Sequence, residues 1–494
     1  MSVASNRAAI LATVAALCVM AASCDKDPTQ LTAPLALLQC PTGLLGVNSP
    51  IILTFSQNVS PGSVTGANVV VTNAATGSEI PGSVRVAIAD PRQVIFRPSD
   101  QLPFDAAVRI RVQNLLSADN SAAIGVTVCD ARTQLPPIAE LFWRSLPNAG
   151  GNTLVGLSLV TPTFAYIAAR NDRIFRYSDS TASTGIKTLP LPPYYSSAND
   201  VSFVSTTHGF ASVTEGRLRR SVVLETFDGG LTYDTIGSAF AQQLNRTYFR
   251  PIPNEASPFG VVAGGQTFSP AYFMKYQPAT KTFAVSSFSG TGGVNDIDFS
   301  ADTSRGAAAT LGIRLGTRTV VGTVFVTIDG GTTWQEIAGA KASDSVVVYR
   351  GVSIKPDGEI WVTGGNGYVA RLTPGPAGYT IQRITLPGGI TSTNPGDPYA
   401  LIYNDVQFAP GNPLIGWIVG ARQVGSIGGV PRYEGLIFIT RDGGQTFVRQ
   451  GVSGAPNFGA EFPALNRIEA LNAATAWIVG DGGVVLRYAG SNTP

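Results

Sequence analysis

Three aspartates stand in one recurring local setting: Asn199-Asp200-Val201-Ser202-Phe203, Asn295-Asp296-Ile297-Asp298-Phe299 and Asn404-Asp405-Val406-Gln407-Phe408. Asn466-Arg467-Ile468-Glu469-Ala470 is a variant of the same phrase. If each phrase heads a strand lining one opening, Asp200, Asp296 and Asp405 ring that mouth. A carboxylate ring can bind a cation or sugar hydroxyls, and two facing carboxyls can hydrolyse a glycosidic bond. The recurrence also supports a plainer role. A catalytic residue need appear only once, whereas an Asn-Asp pair that turns the chain into a strand and bonds nearby backbone recurs with the strand. The structural role has the greater weight.

Little else assembles into chemistry. His208, the single histidine, lies in Thr-Thr-His-Gly with no Ser/Asp motif to pair it and reads as a solvated loop residue. One histidine and four cysteines offer no metal set, and no phosphate loop or dinucleotide fingerprint occurs. Neither a metal nor an organic cofactor is expected. A formal net charge of +2 with mixed signs and no Lys/Arg run removes the footprint of a nucleic-acid binder.

The N-terminus carries an address. Arg7 precedes an apolar run from Ala8 to Ala22, and Ala21-Ala22-Ser23-Cys24 follows. A positive start, about 15 apolar residues and a small-residue end predict a signal peptide over residues 1–23. Cysteine directly after small residues resembles the bacterial lipobox, which implies that Cys24 is lipidated after cleavage. Residues 24–37 then form the lipidated cysteine and tether, with Asp25 to Leu35 polar and Pro-containing. The chain is expected in the bacterial cell envelope, anchored to the bilayer through Cys24 and facing the periplasm or the exterior. The alternative is an ordinary secretory signal with Cys24 incidental. Cys40 and Cys129 remain and bracket one segment; in an oxidising compartment they are expected to form a disulfide, the alternative being two buried thiols.

Val, Thr, Ile and Phe in short runs, broken by 55 Gly and 33 Pro with only 13% charged residues, give an all-β class. Between residues 38 and 132, alternation in Ile51-Ile52-Leu53-Thr54-Phe55, Val69-Val70-Val71, Val84 to Ile88, Val94-Ile95-Phe96 and Val108-Arg109-Ile110-Arg111-Val112 predicts a sandwich of about five to seven strands. The opening Leu53-Thr54-Phe55-Ser56 with Val59, and the later Phe96-Arg97-Pro98 with Leu102, resemble the bacterial Ig-like domain of S-layer and other surface proteins. That resemblance implies a spacer.

Residues 138–494 repeat. Thr226-Phe227-Asp228-Gly229-Gly230-Leu231-Thr232-Tyr233, Thr327-Ile328-Asp329-Gly330-Gly331-Thr332-Thr333-Trp334 and Thr440-Arg441-Asp442-Gly443-Gly444-Gln445-Thr446-Phe447 are one motif three times. The carboxylate accepts turn N–H groups, the glycines supply positive φ, and the aromatic packs between sheets. Trp361-Val362-Thr363-Gly364, Trp417-Ile418-Val419-Gly420 and Trp477-Ile478-Val479-Gly480 read as middle strands. Units of about 45 to 60 residues follow, and seven fit. The last unit stops one strand short after Tyr488, and Leu141 to Pro147 supplies the missing outer strand, closing a ring without free sheet edges. Six or eight blades are the alternatives, because the unit at about 239 to 289 is degenerate.

These motifs are the Asp-box, and the combined phrase resembles the photosystem II assembly/stability factor type of propeller, a branch of the BNR/Asp-box superfamily. Sialidases share that superfamily, and Phe249-Arg250-Pro251-Ile252-Pro253 is near their signature, but the inserted proline breaks it. The expectation is a non-catalytic scaffold that binds a protein partner, with carbohydrate binding or a sialidase-like exo-glycosidase as the alternative. The longest insertions, 391–399 and 423–433, make Tyr399, Tyr403 and Tyr433 candidate contacts.

Overall fold

A computed structural model describes residues 34–488 apart from short internal stretches, the longest being 134–139, 341–347, 388–396 and 454–461. The signal-peptide and Cys24 expectations lie outside the described residues, as does most of the 391–399 insertion.

Period-two alternation builds the first domain. Ile51, Leu53 and Phe55 are fully buried while Ile52 is 43% exposed, so one register puts every second side chain inside. Two four-stranded sheets pack face to face: Leu37–Gln39, Ile51–Phe55, Gln93–Pro98 and Gly82–Val86 in one, and Leu44–Leu45, Thr127–Thr133, Ala107–Val112 and Val69–Asn73 in the other. The sandwich has eight strands where sequence pattern suggested five to seven. Its two shortest strands hold three and two residues, too few to show alternation. Cys40 and Cys129 are bonded, with Cα atoms 6.0 Å apart across 89 residues. Closing so long a loop stabilises the domain by roughly 4 kcal/mol in the chain-entropy model. Reduction in calorimetric scans is therefore expected to lower the unfolding transition of this sandwich and leave a second transition in place.

The rest of the chain forms seven four-stranded antiparallel sheets in sequence order. Their innermost strands are Leu154–Thr161, Tyr195–Phe203, Leu244–Arg250, Val294–Phe299, Tyr349–Ile354, Leu401–Ala409 and Leu465–Asn472, for blades 1 to 7. Each inner strand packs against the next, and that of blade 7 against blade 1. The degenerate third unit is a complete blade. Trp361, Trp417 and Trp477 are fully buried on the second strands of blades 5, 6 and 7.

The ring is closed by the strand Glu140–Ser145, which serves as the outer strand of blade 7. It pairs antiparallel with Val485–Tyr488 (Arg487 opposite Arg144) and parallel with the outer strand of blade 6 (Val452 opposite Trp143). Arg144 and Arg487 both bind Asp179 of blade 1, at 2.5 and 2.6 Å, so the seam is held on both sides.

Asp-boxes occur in alternate blades, at the turn between third and fourth strands of blades 2, 4 and 6. In each, the first Thr hydroxyl donates to Asp228, Asp329 or Asp442 and accepts from Gly230, Gly331 or Gly444 N–H. The N–H and hydroxyl of Thr232, Thr333 or Thr446 close the turn onto the same carboxylate. Those hydrogen bonds, from Thr232 and Thr446 first, hold the carboxyls of Asp228 and Asp442 down at about 2. Gly229, Gly330 and Gly443 have φ of +73°, +65° and +75°. The preceding blade latches each box: Tyr166 hydroxyl and Lys355 Nζ donate to Gly229 O and Gly443 O, and Lys275 Nζ to Thr332 Oγ1. Trp334 stacks on Phe273 of blade 3 at 4.2 Å. The box is an interblade clasp.

Candidate functional site

The inner strands align position for position, and that alignment builds the channel. The second position is Asn199, Asn245, Asn295, Asn404 and Asn466 in five blades, and Val155 and Arg350 in blades 1 and 5. Every one of those asparagines donates its amide to a carbonyl on the next inner strand: Leu244, Val294, Tyr349, Leu465 and Leu154.

The third position reads Gly156, Asp200, Arg246, Asp296, Gly351, Asp405, Arg467 around the ring. Asp200, Asp296 and Asp405 do not stand free at a mouth. Each is almost fully buried and accepts a backbone N–H from the following blade, from Thr247, Val352 and Ile468, all at 2.9 Å. A Cβ on Gly156 would meet Asp200 Oδ1 at 2.5 Å, and one on Gly351 would meet Asp405 Cα at 2.6 Å, so these places must lack side chains. Arg246 of blade 3 and Arg467 of blade 7 converge on Asp296 Oδ1 at 3.0 and 2.6 Å, and Arg467 also reaches Asp405 at 3.3 Å. Burial pushes the Asp200 and Asp405 carboxyls up, against the pull of both arginines, while Asp296, Asp405 and Asp200 raise Arg467 in spite of its burial. Three carboxylates and two guanidiniums thus form a cross-channel plug.

A lower tier repeats the device at the fifth position. Ser158, Ser202, Asp298, Ser353, Gln407 and Glu469 accept the N–H of Phe203, Phe249, Ile354, Phe408, Ala470 and Leu159 on the next strand. Sequence reasoning missed this tier because the residue type varies and only acceptor capacity is kept. Desolvation pushes Asp298 to about 6 and Glu469 to about 8. A carboxyl raised in the folded state gives stability that is complete below its unfolded value and lost as pH rises through its folded value. Stability is therefore expected to fall between about pH 4.5 and 8. Glu469→Gln should flatten that slope in urea midpoints taken across this window.

The plug lies between two cavities. The lower, of about 340 Å³, is bordered by Asp298, Glu469, Gln407, Tyr248 and Arg250. Five carboxyls line it, those of Asp200, Asp296 and Asp405 from the plug with Asp298 and Glu469, and each gives an oxygen to an interblade staple. Arg250 ends the inner strand of blade 3, and Phe249 is buried against Phe210 at 3.6 Å, so the sialidase-like phrase is part of blade packing. The upper cavity, of about 310 Å³, opens where inner strands begin. Arg170, Arg246 and Arg350 border it among the asparagines, and among the described residues no Asp or Glu lines it. Burial, with repulsion from Arg170 and Arg246, draws the Arg350 guanidinium downward.

The candidate tyrosines divide. Tyr403 is corrected: it lies in the inner strand of blade 6, 2% exposed, and packs edge-on to Phe438 at 5.9 Å, because the insertion ends before that strand starts. Tyr399 and Tyr433 are partly buried around Ile402, Ala421 and Ala464. The Tyr399 ring faces Arg350 at 5.5 Å. The 423–433 insertion is a long hairpin extending the second and third strands of blade 6. Arg422 and Arg449 bind Glu434 at its base, at 2.9 and 2.7 Å, all three buried. His208 is not a free loop residue: its ring bonds Glu225 at 3.1 Å and stacks on Phe227 at 4.5 Å. Among the described residues no group of three or more His, Cys, Asp or Glu could hold a metal ion.

An Ig-like sandwich followed by a closed β-propeller defines the class of this protein. Residues 42–125 match the family described as Bacterial Ig-like domain. No curated protein matches the chain. Among solved structures it is similar to YCF48 bound to D1 peptide, at 15% identity and a TM-score of 0.50, over 73% of this chain and 99% of that one. It is also similar to YCF48 from Cyanidioschyzon merolae (14%, 0.47, 70% and 98%) and to a GH74 xyloglucanase from Xanthomonas campestris (16%, 0.48, 71% and 54%). At 15% identity the likeness to YCF48 bound to D1 peptide shows the fold alone.

Proposed function

We propose that this chain is a non-catalytic lipoprotein of the bacterial cell envelope, held to the bilayer through an acylated Cys24, whose propeller binds a protein partner. The Ig-like domain is the spacer that holds the propeller off the membrane. One observation carries the reading: the channel carboxylates are committed to backbone and arginine partners that hold the ring together. Asp200, Asp296 and Asp405 each accept a neighbouring N–H at 2.9 Å, leaving a hydrolase no free facing pair at that level. The upper face offers instead a polar, cationic mouth beside the 423–433 hairpin. The likeness to YCF48, which is bound to a peptide in the structure cited, is consistent with this role.

Cross-linking and affinity recovery of the full-length protein from its own membranes tests it. A specific protein partner is expected, lost when the upper-face hairpin is shortened. Retention on a glycan array with no protein recovered would overturn the reading, as would release of sugar from an oligosaccharide abolished by Glu469→Gln. Radiolabelled fatty-acid incorporation that survives Cys24→Ala would overturn the anchor.

A further inference from the structure

Recurrence around the ring marks structural residues, so a departure from the recurrence needs another reason. At the second inner-strand position, five asparagines each clip their blade to the next. Blade 5 has Arg350 there. Arginine carries five donors and a fixed charge, yet its Nε is buried with no hydrogen-bond partner. A buried unpaired donor costs about 1–3 kcal/mol.

We infer that the upper mouth is a receptor for a carboxylate, with Arg350 as the docking group and the terminus of a partner's chain as its bearer; this rests on the partner-binding reading above. Charge, shape and size agree on that ligand. Among the described residues Arg170 and Arg350 border the cavity without a carboxylate partner, while Arg246 is neutralised from below by Asp296. Among the described lining residues none is acidic, so the field at the mouth favours an anion. A guanidinium fork matches a planar carboxylate with two parallel hydrogen bonds. Among the described residues Asn295 keeps a second amide hydrogen to donate after its clip is made, whereas Asn199, Asn245 and Asn466 spend theirs on Thr214, Gly265 and Asp481. Tyr399 lies against the guanidinium and limits its swing. A cavity of about 310 Å³ above a closed ion-pair plug admits the end of one chain and excludes a folded domain. A nucleic-acid strand would need a basic stripe that this chain, at net +2, does not have.

Arginine Nε–Hε resonances of the full chain report directly on the docking group. The probes are acetyl-Gly-Ala-Ala with a free terminus, the same peptide amidated, and sodium acetate. The free acid is expected to shift the Arg350 signal saturably, at least about tenfold more tightly than the amide. Arg350→Gln should abolish the shift and binding, and Arg170→Gln, at an exposed site that does not threaten folding, should weaken binding severalfold. Acetate binding as tightly as the peptide acid would assign the site to a free small carboxylate and overturn the chain-terminus assignment. Equal affinity for acid and amide, no shift up to about 50 mM probe, or full affinity in Arg170→Gln would overturn the receptor itself. A titration that succeeds while no protein is recovered from membranes would sink the partner reading and leave the carboxylate site standing.

Discussion

Asp296→Ala is expected to destabilise the propeller by about 3–5 kcal/mol, or to prevent its folding, although the residue belongs to no motif of known activity. Asp296 is 1% exposed and receives three donors: Arg246 Nε at 3.0 Å, Arg467 Nη1 at 2.6 Å and Val352 N–H at 2.9 Å. Truncation strands one guanidinium outright, weakens the setting of the other and orphans a backbone donor. Removing one partner of a buried pair is costly because the remaining charge has no solvent to return to. Asp296→Asn separates the terms: its amide oxygen can still accept from Val352, so the backbone staple survives while the charge is lost. Urea midpoints should rank wild type above Asn and Asn above Ala. A double variant, Asp296→Ala with Arg246→Met, should recover part of the loss, since one stranded charge goes with its partner. An Ala variant as stable as wild type would mean that the cross-channel pairs are incidental.

The architecture was legible because the features that form it are local and repeated. Thr-x-Asp-Gly-Gly needs positive φ at its glycines and a carboxylate for its turn, and only those residue types serve, so the box reads directly from sequence. The strand missing from the last unit likewise announced Glu140–Ser145. What sequence could not order was the ring. Asp200, Asp296 and Asp405 look alike in the chain, yet Asp296 faces two arginines from blades 3 and 7, and Arg246 sits where its own blade should carry Asp. That substitution made the third unit look degenerate, although Asn245 keeps its clip to Val294. Gly156 and Gly351 are plain glycines in sequence; only the approach of Asp200 and Asp405 shows why no side chain fits. The lower tier was hidden further, since Ser, Asp, Gln and Glu perform one task there. Tyr403 was misplaced because the strand Leu401–Ala409 starts directly after a loop-like, Pro- and Gly-containing stretch, with no local marker of where burial begins.

Trp143→Ala should open the ring where its two ends meet. The side chain is fully buried between blades 6 and 7, donates from Nε1 to Gln450 at 2.9 Å and packs against Tyr488 at 5.3 Å. Cutting a buried tryptophan to alanine costs about 3–5 kcal/mol from lost transfer and residual cavity. At this position the loss falls on the single strand that joins the two ends of the array. Closing it spans more than 300 residues of chain, and the contacts of Glu140–Ser145 meet that closure entropy together with the inner-strand staples between blades 7 and 1. Trp361, equally buried on the second strand of blade 5, is the comparison: its ring packs against Phe408 and Phe447, away from the seam. Hydrogen exchange read by mass spectrometry distinguishes the two. Trp143→Ala should speed exchange in 485–488, the strand that loses its outer neighbour and carries the Arg487–Asp179 tie to blade 1, whereas Trp361→Ala should act mainly between blades 5 and 6. Equal protection of 485–488 in both variants would mean that the inner-strand staples alone hold the circle, with the outer strand merely covering an edge.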